Sequence, residues 1–112
     1  MVPRWRELCP VKEYDLFIPL YYNDGSPIEP RKFQQLQTRL LEHFEGLTFF
    51  PQANEGFWKM AGVTYRDEIV IYRVLASKVR SARRFLSQLK QDLKKEFEQE
   101  EILIVEREVE TL

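Results

Sequence analysis

Four cations stand at the start of one long apolar-striped segment: Lys78, Arg80, Arg83 and Arg84 fall in the first two turns of a run from Ser77 to Glu98. Unpaired N–H groups at a helix N-terminus, joined by fixed positive charge, make a ready site for a phosphate, a carboxylate or an acidic partner. The arrangement opposes the helix dipole, because Glu96, Glu98, Glu100 and Glu101 gather at the far end. Each charge placed this way loses a few tenths of a kcal/mol relative to the reverse order. The alternative is a solvated basic face, and salt-dependent binding of an acidic ligand separates the two.

The other reactive side chains are isolated. His43, the sole histidine, falls near the end of a different apolar-striped segment, where an imidazolium would favour the helix dipole. Spacing marks no acid or nucleophile for it to work with. Cys9 is the single cysteine and reads as a reduced thiol, since no base or helix N-terminus adjoins it. A lone His and a lone Cys supply no metal-ligand spacing, and none of the four glycines lies in a phosphate-cradling loop, so no catalytic residue, metal or cofactor is expected. Asp24, Tyr21 and Tyr72 complete the short roster of polar candidates for chemistry.

At 112 residues, with 44% hydrophobic and 31% charged side chains, the chain suits one globular domain with a buried core. The net charge of −1 lacks the broad positive field of a nucleic-acid binder. An unpaired cysteine argues against a disulfide-stabilised secreted domain. No apolar run resembles a signal peptide or approaches a membrane span, so the expected location is the cytoplasm, away from membranes.

These residues need elements to hold them. Residues 1–13, with Pro3, Trp5, Leu8 and Pro10, suit an irregular arm, and residues 14–112 a single domain. Tyr14 to Tyr22 is apolar on both parities, as in a strand covered on both faces, with Pro19 implying a bulge or an exposed edge. Asn23 to Pro27 is a turn. Pro30 opens a first helix through Phe33, Leu36, Leu40, Leu41 and Phe44, closed by a left-handed Gly46. Leu47 to Pro51 reads as a short strand, Gln52 to Gly56 as a turn, and Phe57 to Met60 as a hairpin strand leading through Gly62. Trp58 there is either the lip of a binding site or a plug over the core. Glu68 to Leu75 is the clearest strand. Val79, Ala82, Leu86, Leu89, Leu93 and Phe97 make the long helix, and Ile102 to Val109 a last, half-exposed strand.

Strand, helix, strand, strand, helix, strand resembles the split βαβ order of ferredoxin-like domains. That resemblance implies an α+β fold with a four-stranded antiparallel sheet, both helices on one face, and the first and third strands central. The Gly46-Leu47-Thr48 and Gly56-Phe57-Trp58 pairings also resemble uncharacterised small bacterial α+β families, which carry no assigned function.

Helices on one face leave the other open. With Leu16, Ile18 and Leu20 toward the helices, Phe17 and Tyr21 face away; Ile69 and Ile71 likewise oppose Val70, Tyr72 and Val74. Phe17, Tyr21, Trp58 and Tyr72 are therefore the aromatic candidates for a pocket or interface. An apolar face of this size calls for a cover. The expectation is a homodimer joined through the sheet or its edges; the alternative is that Trp5 and Leu8 of the arm fold across the face.

The leading functional reading is a non-enzymatic regulatory or assembly module that self-associates through its sheet and binds an acidic protein or anionic small molecule at Lys78, Arg80, Arg83 and Arg84. The competing reading is a small enzyme of the dimeric α+β barrel kind, with Tyr21, Tyr72, His43 and Asp24 around a pocket between sheets. Single-stranded RNA stacked on Phe17 and Tyr72 is disfavoured, since the third strand lacks the Arg/Lys-Gly-aromatic-Gly pattern of RNA-recognition domains.

Overall fold

The computed structural model describes residues 11–112; Trp5, Leu8 and Cys9 of the expected arm lie outside the described residues. Strand β1 spans Val11–Pro19, helix α1 Pro30–His43, strand β2 Thr48–Met60, strand β3 Val63–Ala76, helix α2 Val79–Glu96 and strand β4 Leu103–Val109. The strands form one antiparallel sheet in the order β2-β3-β1-β4, so β1 and β3 are central. Strand β1 begins at Val11, within the stretch expected to be irregular.

Both helices cover one face. Leu16 and Ile18 of β1 and Val70, Tyr72, Val74 and Ala76 of β3 meet Leu36 and Leu40 of α1 and Ala82, Leu86, Leu89 and Leu93 of α2 in a single core. Phe33 of α1 packs edge-on against Phe97, with ring centroids 5.4 Å apart. Burial of these stripes stabilises each helix far more than its intrinsic propensity does.

Pro19 causes no bulge. Its pairing with Ile69 continues the β1–β3 register without a break, and the following Leu20 N–H donates to the Glu68 carbonyl at 3.0 Å. Leu20 therefore turns its N–H toward β3, and Pro19 turns its nitrogen toward β4, whose pairing has already ended at Phe17 and Leu103. No ladder bond is lost, which is why proline is tolerated in a central strand.

The helix ends also differ from expectation. Helix α1 closes at an extended Phe44, whose N–H reaches the Leu40 carbonyl, and Gly46 takes no left-handed conformation. The left-handed residue follows α2 instead, at Glu98 with φ 52°.

The largest difference is the middle of the chain. Gln52 to Gly56 is not a turn. Strand β2 runs 13 residues from Thr48 to Met60, its register with β3 shifting once between Phe50 and Asn54, where Pro51 interrupts the ladder. Strand β3 starts at Val63 rather than Glu68, and only Ala61 and Gly62 connect the two, with φ of 50° and 79°. Two positive φ values in a two-residue loop define the turn whose twist matches that of the flanking strands. Because β1 ends opposite Ile69, residues 55–60 and 63–68 extend past the rest of the sheet as a two-stranded arm.

Candidate functional site

Alternation along the strands sorts the sheet's two faces. Tyr72 lies opposite Leu16 in the β1–β3 register, so both face the helices. Tyr72 is 1% exposed and stacks on Phe49 at 4.5 Å between ring centroids, and its burial pushes the phenol up to about 12. It is therefore a core residue and not part of an open-face interface. Phe17 lies opposite Ile71 on one side and Leu103 on the other, and all three face away from the helices.

The open face has two halves. Toward the start of β1 it is ionic. Asp15, 3% exposed, accepts hydrogen bonds from Arg73 and Arg107 on the flanking strands, and Glu13 pairs with both of those arginines. Burial alone would raise the Asp15 carboxyl, but hydrogen bonds from Arg73 and Arg107 outweigh it and hold the group below its ordinary value. Arg73 also lies over the Phe50 ring, 5.0 Å from its centroid.

Toward the end of β1 the face is apolar and continues onto the arm. Ile69 and Ile71 follow, at alternate positions, Val63, Tyr65 and Asp67, whose partners on β2 are Met60, Trp58 and Gly56. Since residues two apart share a face, Trp58, Tyr65, Met60 and Val63 extend the apolar surface begun by Phe17 and Leu103. A groove of about 400 Å³ opens where the arm leaves the sheet, with Phe17, Ile69, Ile71 and Leu103 below and Trp58 beside it. Phe17 and Trp58, far apart in sequence, share this groove. Tyr21 lies outside it, in a neighbouring hollow with Tyr65 and Arg66.

The basic start of α2 is partly committed. Arg83 donates to both carboxylate oxygens of Glu106 at 2.7 Å each, and the Tyr14 hydroxyl donates to the same carboxylate at 2.7 Å. The Arg83 and Tyr14 hydrogen bonds hold Glu106 down at about 2, while burial followed by the Glu106 contact pushes Tyr14 up to about 12. Lys78, Arg80 and Arg84 carry no ion pair among the described residues. Lys78 is the N-cap of α2 and makes no side-chain cap.

The polar residues considered for catalysis are not brought to one place. His43 stacks flat on Phe85 at 4.0 Å at the end of α1, Tyr72 is in the core, and Asp24 accepts hydrogen bonds from the Ser26 N–H at 2.8 Å and hydroxyl at 2.5 Å in the turn after β1. Among the described residues no group of three His, Cys, Asp or Glu side chains could hold a metal ion, and no helix is long and apolar enough to cross a membrane. Asp67 also lines the groove and was not singled out from the sequence. Its signal is the alternation Val63, Tyr65, Asp67 against Thr64, Arg66, Glu68, a strand pattern masked by its polar members.

Fold and surface together define a ferredoxin-like α+β domain with a projecting hairpin. The chain is similar to the crystal structure of CutA1 from Oryza sativa, at a TM-score of 0.61 and 10% sequence identity, over 92% of this chain and 83% of that one. At this identity the likeness shows the fold alone. No family model matches the chain, and no curated protein matches it in sequence.

Proposed function

We propose that this protein is a non-enzymatic assembly module whose open sheet face and hairpin arm receive a second copy of the same chain. The observation that carries the reading is that Phe17, Ile71 and Leu103 of the sheet share one face with Trp58, Tyr65, Met60 and Val63 of the arm, the two apolar areas being separated by the Gly56–Asp67 pair. A two-stranded ribbon is marginal in water by itself, and this one exposes Trp58, Met60, Val63 and Tyr65 on the open face and Phe57 on the other. At about half exposure, side chains of these sizes contribute roughly 500 Å² of apolar surface, a large part of the ~800 Å² each partner gives to a standard interface. The scatter of His43, Asp24 and Tyr72 supports the non-enzymatic part of the reading.

The test is solution mass by light scattering for the wild type and for Met60→Glu/Val63→Glu, two exposed positions at the arm tip. The expected result is an oligomer of the 13.5 kDa chain that dissociates in the double variant. A wild-type monomer across the micromolar range overturns the reading.

A second reading concerns an acidic partner or anion. It rests on Lys78, Arg80 and Arg84 alone, beside the uncapped first turn of α2, because Arg83 is held by Glu106. Binding of inorganic phosphate or an acidic peptide that weakens with salt and is lost in Lys78→Glu/Arg80→Glu tests it; binding unchanged in that variant removes it.

A further inference from the structure

The groove at the root of the arm has a built recess. Gly56 lies directly opposite Asp67, between the Asn54–Ile69 and Trp58–Tyr65 pairs, so one position on this face has no side chain. Gly56 is not there for its backbone: its φ is not positive, and an added Cβ would meet only the Asp67 carbonyl, at 3.9 Å. A glycine within a strand whose backbone any residue could adopt leaves room for something to approach.

The lining is one-sided in charge. Glu55, Asp67 and Glu101 contribute to it and no Lys or Arg does. Glu55 is paired with Arg66 at 2.5 Å and Glu101 with Lys90 at 3.0 Å, whereas half-buried Asp67 has no ion pair among the described residues. Trp58 flanks the recess, and an indole face attracts a cation, most strongly where water is excluded. The floor of Phe17, Ile69, Ile71 and Leu103 is apolar, and about 400 Å³ lies within the usual size of small-molecule sites.

We propose that this recess binds a small amphipathic cation, an alkylammonium whose hydrocarbon part lies on the apolar floor and whose ammonium group lies between the Trp58 indole and the Asp67 carboxylate. An anion would meet the Asp67 carboxylate with no cation to offset it, and a neutral hydrocarbon would leave Asp67 desolvated without a partner. The site does not depend on self-association, since Gly56, Trp58 and Asp67 belong to one chain; a second copy on the open face would roof it.

The experiment titrates hexyltrimethylammonium, hexanol and hexanoate into full-length protein, read by Trp58 fluorescence in a Trp5→Phe background, with light scattering alongside. The expected result is a saturable response to the cation and a response about tenfold weaker or absent for the other two, as expected for one desolvated charge contact. Gly56→Val, which keeps its backbone, abolishes the response with circular dichroism unchanged, and Asp67→Asn weakens it about tenfold. Equal responses to cation and alcohol, or undiminished binding in both variants, overturn the proposal. So does an unresponsive protein, whose measured mass then tells whether a second copy fills the recess or the groove stays empty in the monomer.

Discussion

Arg73 holds Asp15 through two hydrogen bonds, from Nε at 2.8 Å and Nη2 at 3.0 Å, across the central β3–β1 pair. Arg107 adds a third at 2.5 Å from β4, so one carboxylate ties three strands together on the face that the helices leave open. Burying a carboxylate is costly unless its lone pairs are filled by charged donors, and here they are. The contact also limits the apolar part of that face to the end nearest the arm.

Asp15→Ala is expected to destabilise the domain by about 2 kcal/mol, less than for a fully buried pair because both arginines keep access to water. The midpoint of thermal unfolding, followed by circular dichroism, falls accordingly by roughly 10 °C for a domain of this size. A change within error of the wild type would mean the cluster contributes nothing net.

The acid limb of the stability curve follows from Asp15 and Glu106. Both carboxyls are held below their ordinary values in the folded state, so each contributes stability that is full above its unfolded value and is lost as pH falls through the folded one. For Glu106 that window runs from about 4.5 down to about 2. Glu106→Gln is expected to be less stable than wild type at pH 7 and to lose less stability between pH 5 and 2, measured by urea unfolding at each pH. Parallel curves for the two proteins would show that the Arg83 and Tyr14 contacts do not bind Glu106 in solution.

Tyr72→Glu and Leu103→Glu separate core from interface. Tyr72 is buried beneath the helices, so a carboxylate there unfolds the domain, while Tyr72→Phe is expected to change stability by less than about 1.5 kcal/mol. Leu103 is half exposed on the open face, and Leu103→Glu is expected to leave the melting curve nearly unchanged and to lower the solution mass. A folded Tyr72→Glu would mean the sheet faces are assigned the wrong way round.

Ala61→Asn tests the arm. Ala61 takes a φ of 50° immediately before Gly62, a pairing in which Asn-Gly is strongly preferred over Ala-Gly. The substitution is expected to stabilise the hairpin by roughly 0.5 to 1 kcal/mol, seen as slower amide exchange in residues 57–66. Unchanged exchange would mean the turn does not limit opening of the arm.

The order of the elements, both helix stripes and the doubly apolar character of β1 and β3 were determined by the sequence itself, because side-chain periodicity is a local property of the chain. Leu86, Leu89 and Leu93 can align on one face only in a helix, whatever they pack against. Other features were decided only by tertiary structure. A strand apolar on both parities does not say which parity the helices take; pairing opposite Leu16 sent Tyr72 inward and left Ile71 and Phe17 outside. Gln52 to Gly56 reads locally as a turn, yet the β3 ladder carries β2 through it and builds the arm. Arg83 was legible as a free cation until Glu106, 23 residues away, came beside it. Register and long-range pairing are set by contacts between segments, and no local pattern encodes them.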